Sequence, residues 1–268
     1  MEGATGVVCP AQVTFGSPEY EFGRAMQLHD TLAAARAALE HGADSVTVND
    51  SHCRMINLDI SKFPKGVTVI SGSPKILGMV EGVGEADAAL FIGYHAMAGT
   101  EKAVLDHTYD PVTIFDMKVN GFPMGETGLN ALFCGALGVP VALVAGDTAV
   151  CLEASSLLGA NLETCALKEG VGRIAARTLP TCETAPLISA AVKNAMDKAE
   201  KGLSPVLKMP PPYKMEVTFH TAAQTDAAGL VPGSERTAGR TLVFNTEDIF
   251  ELRRWICTAM DIAGTVPF

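Results

Sequence analysis

The sequence predicts an α/β protein: a mostly parallel sheet sandwiched by helices, followed by a smaller α+β portion. Three short strand-like runs end abruptly in polar residues: Ser45-Val46-Thr47-Val48 before Asn49-Asp50-Ser51-His52, Ala89-Leu90-Phe91-Ile92-Gly93 before Tyr94-His95, and Val141-Ala142-Leu143-Val144 before Ala145-Gly146-Asp147. Parallel strands are covered on both faces and gather their functional groups beyond their C-terminal ends, which produces this pattern. Helical stretches separate the runs. Past residue 202 the apolar pattern changes to a period of two, the mark of a half-exposed strand.

Residues 1–18, with Pro10 and Pro18, read as loop, and nothing ahead of Glu2 reads as a strand. From about Glu19 to His41 the pattern is helical, with Phe22, Met26, Leu32 and Leu39 near one face and Gly42 as a stop. The strand ending at Asn49 follows. Val67-Thr68-Val69-Ile70 is a second strand, and a short helix around Lys75 to Val80 leads towards the strand ending at His95. Residues 97–125 are rich in loop and contain His107, then Val112-Thr113-Ile114-Phe115 and Val119-Asn120-Gly121-Phe122, where Asn-Gly marks a tight turn. Gly125-Glu126-Thr127-Gly128 opens a helix to Leu137, and another runs from about Thr148 to Leu158. The stripe Leu187, Ile188, Ala191, Val192, Ala195, Met196, Ala199 ends at Gly202. Leu203 to Pro212 carries four prolines and reads as a rigid connector. Tyr213 to Phe219 and Thr241 to Phe244 are strands, and Asn245 or Thr246 caps a last helix to about Ala263. The expected units are residues 1–202, carrying the site, and 203–268.

A formal net charge of −10 over 268 residues argues against nucleic acid and against anionic membrane surfaces. No run has the roughly 18 apolar residues of a membrane helix, and no secretion signal opens the chain, so the expected location is cytoplasmic. The seven cysteines form no C-x-x-C pair and read as small hydrophobes in a reducing compartment. Cys53 adjoins His52, but neighbours at a strand end point apart, which weakens it as a nucleophile. The Gly3-Ala4-Thr5-Gly6 and Gly82-Val83-Gly84 stretches lack dinucleotide-binding context, and Glu200-Lys201 and Arg253-Arg254 read as solvated helix faces.

His29 and His41 lie in the first helical stretch and His220 ends a tail strand; none asks for a special role. His52 and His95 each close a buried strand on one sheet edge. Two imidazoles converging there with carboxylates make a transition-metal site, or alternatively a pair of structural or substrate-contacting histidines.

Glu2-Gly3, Asn49-Asp50-Ser51-His52, Gly93-Tyr94-His95-Ala96, Asp106-His107 and Gly125-Glu126-Thr127-Gly128-Leu129-Asn130-Ala131 come in an order and spacing that resembles the zinc D-aminopeptidase family. Val231-Pro232-Gly233 and Leu242-Val243-Phe244 extend the resemblance over nearly the whole chain. It implies that Glu2, His52, His95 and Glu126 ligate two zinc ions and that His107 is catalytic. Asp50 is then placed to orient a ligand histidine. Asn130, one helical turn after Glu126, is placed to face the cleft, act as a cap or meet an interface. The family pattern begins D-x-E-G and Met1 takes its middle position, so the first aspartate and its strand are absent from this chain. That departure implies a shortened sequence and fewer ions bound. The expected activity is a cytoplasmic zinc-dependent aminopeptidase that attacks short peptides, with D-configured N-termini, by a metal-activated water. The expected partners are peptide substrate and copies of itself, as pentameric rings pairing into a decamer. The rivals are a metal-assisted amidohydrolase on another small amide and a non-catalytic ring-forming homologue.

Overall fold

The structure is a computed structural model and describes residues 1–266. The chain runs α1 (Tyr20–Glu40), β1 (Val46–Asn49), β2 (Val67–Ile70), β3 (Ala89–Tyr94), β4 (Ile114–Val119), β5 (Phe122–Pro123), α2 (Glu126–Ala136), β6 (Val141–Asp147), α3 (Thr148–Leu158), β7 (Glu163–Gly172), β8 (Ala175–Thr178), α4 (Thr181–Glu200), β9 (Tyr213–Phe219), α5 (Ala222–Ala228), β10 (Glu235–Ala238), β11 (Thr241–Thr246) and α6 (Ile249–Ala263). Around Lys75 to Val80 only a 3-10 turn forms, at Gly78–Val80.

Three sheets result: β1-β2, β3-β6-β7-β8, and β10-β11-β9-β4-β5. The first is parallel, as are β3, β6 and β7, while β8 folds back antiparallel on β7. The β7–β8 hairpin carries no periodic signal, because Lys168, Glu169, Gly170 and Gly172 interrupt its apolar positions. The third sheet is antiparallel and crosses residue 202: β4 pairs with β9 from the tail, Met117 opposite Val217. The tail portion therefore takes β4 and β5 from the middle of the chain. Periodicity tells which segments extend but not which partner they meet. The expected turn is present, with Asn120 and Gly121 at φ 53° and 81° between β4 and β5.

β6 is buried along its whole length and is the spine of the molecule. On one face, Leu143 and Ala145 pack with Ala34, Ala38, Ile188, Ala191 and Ala195 of α1 and α4. The buried face of α1 is thus an alanine face; Phe22 stays exposed, because small side chains let two helices approach the sheet closely. On the other face, Val144 joins Leu132, Phe133, Val150, Met215, Val217 and Trp255 in the larger core. Fully burying Phe133 contributes on the order of 2–3 kcal/mol, which helps hold α2 in the core. α6 is capped by Asp248, whose carboxylate accepts from Phe250 N at 2.8 Å, and not by the expected Asn245 or Thr246.

β1 and β3 are not hydrogen-bonded to each other, and a cavity of about 1460 Å³ runs between them. Residues 1–9 form turns. Gly3 N donates to Gly93 O at 3.1 Å beside the end of β3, and a Cβ at Gly3 would lie 1.7 Å from Tyr94 O. Only glycine permits that approach, and it brings Glu2 to the C-terminal end of the strand.

Candidate metal centre

Each contributor arrives by a distinct piece of backbone. His95 directly follows β3, and His52 follows β1 by three residues. Glu126 is the first residue of α2, where the helix dipole favours a carboxylate. His107 comes from the long connection before β4.

His95 Nε2 lies 3.3 Å and His107 Nε2 3.6 Å from the same Glu126 Oε1, and the two rings stack with centroids 3.9 Å apart. These three are the group that can hold a metal ion among the described residues, their ligand atoms all within 4.8 Å of one another. Glu2 and His52 form a second pair beside it, Oε1 to Nε2 at 2.9 Å. All five residues line the cavity. His107, expected as a group apart from the ligands, stands inside the cluster.

Backbone carbonyls fix the tautomers. His95 Nδ1 meets Ala96 O at 3.1 Å and His107 Nδ1 meets Leu105 O at 2.7 Å. A carbonyl only accepts, so each Nδ1 carries hydrogen and each Nε2 turns inward. Burial opposes charge on every member. Glu126 outweighs it at His95, whose pKa is raised to about 9. In return the histidines bring Glu126 down to about 2 against the same burial. His107 is lowered, by burial and then by His95. Burial would raise Glu2, but the Met1 ammonium, 3.1 Å from Oε2, and His52 hold it well below the usual carboxylate range.

Asp50 serves the loop rather than a histidine ring. It is fully buried and accepts from Asn57 N, from Asn57 Nδ2 at 2.9 Å and from Leu58 N at 3.0 Å. Asn57 in turn donates to His52 O at 2.7 Å, so Asp50 reaches His52 through the main chain. His52 Nδ1 is buried without a partner. Asn130 donates to Tyr94 Oη at 3.0 Å beneath the site. Asp147, the polar end of the third strand, caps α3 through Val150 N at 2.9 Å and accepts from Val104 N at 2.7 Å, which anchors the His107 loop.

Three features had no signal in the pattern. Lys168, 3% exposed, donates to the carbonyls of Glu2, Ala4 and Val7 at 2.5–2.9 Å and fixes the segment that presents Glu2. Burial pushes its pKa down to about 8. Both loop histidines are flanked by non-glycine residues in the left-handed region: Cys53 and Met55 after His52, Leu105 and Tyr109 around His107. Such residues cost on the order of 1–2 kcal/mol each and are tolerated where the surroundings hold them. Arg253, expected on a solvated face, is 6% exposed, whereas Arg254 is exposed.

Strand ends, a helix N-terminus and a clamped loop thus focus buried imidazoles and carboxylates on one cavity, which defines a metal-dependent hydrolase of α/β architecture. The family model for peptidase M55, D-aminopeptidase, matches residues 1–258, and the chain belongs to this family as a metallo-aminopeptidase. A D-aminopeptidase from Bacillus subtilis (strain 168) is 33% identical over 275 residues, covering 100% of this chain and 97% of the relative. The solved structure of the Zn-dependent D-aminopeptidase DppA from Bacillus subtilis, described as a self-compartmentalizing protease, has a TM-score of 0.95 and 32% identity. It covers 100% of this chain and 97% of that one. No described helix is long and apolar enough to cross a membrane.

Proposed function

We propose that the protein is a zinc-dependent aminopeptidase acting on short peptides, with D-configured N-terminal residues preferred, in the cytoplasm and as pentameric rings paired into a decamer. The observation that carries the metal reading is the convergence of His95 Nε2 and His107 Nε2 on one oxygen of Glu126. The donor set fits zinc: imidazoles with Nδ1–H engaged elsewhere, an anionic carboxylate, and a further part-buried imidazole–carboxylate pair alongside. The Zn-dependence and self-compartmentalizing description of the solved relative support the ion and the assembly.

In this reading Glu2, His52, His95 and Glu126 hold zinc. When bound, zinc supplies Lewis acidity, lowering the pKa of a water and polarising the scissile carbonyl. Low-pKa His107 is neutral near pH 7, so its Nε2 takes a proton from the attacking water and returns it to the leaving amine. The Leu105 carbonyl keeps that ring in the required tautomer.

His107→Ala is the test of that assignment. The expected result is retained zinc by elemental analysis with kcat reduced about 10²–10⁴-fold on a D-alanyl anilide. Loss of zinc together with activity would move His107 into the ligand set. Zinc and activity both unchanged would remove it from the site. Comparing kcat/KM for the D- and L-alanyl anilides decides the stereochemical preference, and a purified protein without zinc would favour a non-catalytic homologue.

A further inference from the structure

Arg253 on α6 is buried yet lacks an anion. Its guanidinium centre lies 5.8 Å from the ring centroids of both Tyr109 and Phe133, and Nη2 fills the space where a side chain at Gly78 would begin. Among the described residues its hydrogen bond runs from Nη1 to the Cys257 thiol, a weak acceptor. Nε is buried with no acceptor, and among the described residues no carboxylate comes within 4.0 Å. Asp261, further along α6, acts on it only at a distance. Beside it the Tyr109 hydroxyl is also buried and unpartnered. A guanidinium cannot shed its proton to escape burial, so a desolvated one without a counter-charge is unfavourable until an anion arrives.

The place of this group says which anion. Arg253 and Tyr109 line the same cavity as His107 and Glu126, and Tyr109 N donates to Glu126 Oε1 at 2.8 Å. Phe133, under the guanidinium, is seven residues after Glu126 on α2, about 10 Å along the helix axis. An extended peptide covers roughly 3.3–3.6 Å per residue, so about three residues bridge that distance. We propose that Arg253, with the Tyr109 hydroxyl, binds the C-terminal carboxylate of a tripeptide whose N-terminal residue lies at the metal centre. The proposal rests on the peptidase reading above. It makes the enzyme selective for short peptides with a free carboxylate, because a neutral end leaves the guanidinium uncompensated.

The test uses two uncleavable ligands, the reduced-bond analogue of alanylglycylglycine and its C-terminal carboxamide, each in both alanine configurations, titrated calorimetrically into the purified protein. The wild type is expected to bind the carboxylate roughly 10- to 100-fold tighter than the carboxamide, the range of a charged hydrogen bond. Arg253→Met should bring the carboxylate down to the carboxamide's level, and Arg253→Lys, which keeps charge without the fork, should fall between. Equal wild-type affinity for the two ligands overturns the proposal, as does a folded Arg253→Met protein that keeps the preference. If that variant does not fold, the wild-type comparison and Tyr109→Phe, expected to lose part of the preference, still decide. A carboxylate preference in a protein that cleaves no peptide would sink the peptidase reading and leave the anion subsite standing. Equal kcat/KM on the tripeptide and its amide would do the reverse.

Discussion

The two halves of the metal centre are built differently. The His95–His107–Glu126 half stands on rigid supports: the end of β3, the first turn of α2, and a loop pinned by Asp147 through Val104. Its rings are fixed by backbone carbonyls, and one carboxylate oxygen serves both. The Glu2–His52 half stands on two irregular segments, one held by Lys168 and the other by Asp50 and Asn57. There one oxygen of Glu2 faces His52 and the other the Met1 ammonium, and His52 Nδ1 has no partner. Preorganisation is therefore unequal, and among the described residues the first half is the one that gathers three ligand atoms within 4.8 Å of one another.

The largest way to break this contrast is Glu126→Gln. It removes the charge both histidines share, so kcat/KM is expected to fall at least 100-fold with zinc content reduced, and the His95 pKa measured by NMR should drop from about 9. Near-normal zinc content in this variant would mean that the Glu2–His52 half holds the ion.

Lys168→Met strikes the other half. Three carbonyls lose their donor, so a stability loss of about 3 kcal/mol or more is expected in denaturant unfolding. Zinc bound at the His95 half should stay. If both halves lose zinc equally, they form one unit and the contrast fails.

Protons give a sharper measure. His95 has its pKa raised to about 9, so in the metal-free protein it stays protonated at pH 7.5 and must lose that proton to ligate. Zinc uptake should then release close to one proton per His95 site, and affinity should rise with pH up to about 9. Calorimetry in two buffers of different ionisation enthalpy reads this; zero proton release at pH 7.5 contradicts ligation by His95. The same shift stabilises the metal-free fold below the unfolded histidine's pKa of about 6.5, a contribution that disappears as pH rises through about 9.

The smallest effect is expected from Cys53→Ser. Cys53 is an exposed free thiol, so kcat/KM should change less than about twofold. A large loss would restore the thiol as a participant.

Much of the fold was legible because it repeats simple periods. β2 and α3 fall on the expected residues, and β1, β3, β6 and α2 within a residue or two. The β7–β8 hairpin was not, since charged and glycine positions break its alternation, nor was the short α5. At the site, histidines stood out because few residue types do their chemistry. Asp50, Asp147 and Arg253 were misjudged or left open, because a charged residue looks the same in sequence whether it meets water, a backbone amide or an aromatic ring.

By itself the sequence determined that β1, β2, β3, β6, β9 and β11 are strands, that polar residues crowd the C-terminal ends of β1, β3 and β6, and which side chains could ligate a metal. These are local properties, set by the pleat of a strand, the pitch of a helix and the chemistry of each side chain. Tertiary structure alone decided that β4 crosses to pair with β9, that His107 stacks on His95, that Lys168 holds the Glu2 segment, and that Arg253 is buried. Each depends on residues far apart in the chain meeting out of water, where pairing and burial, not pattern, set the energy.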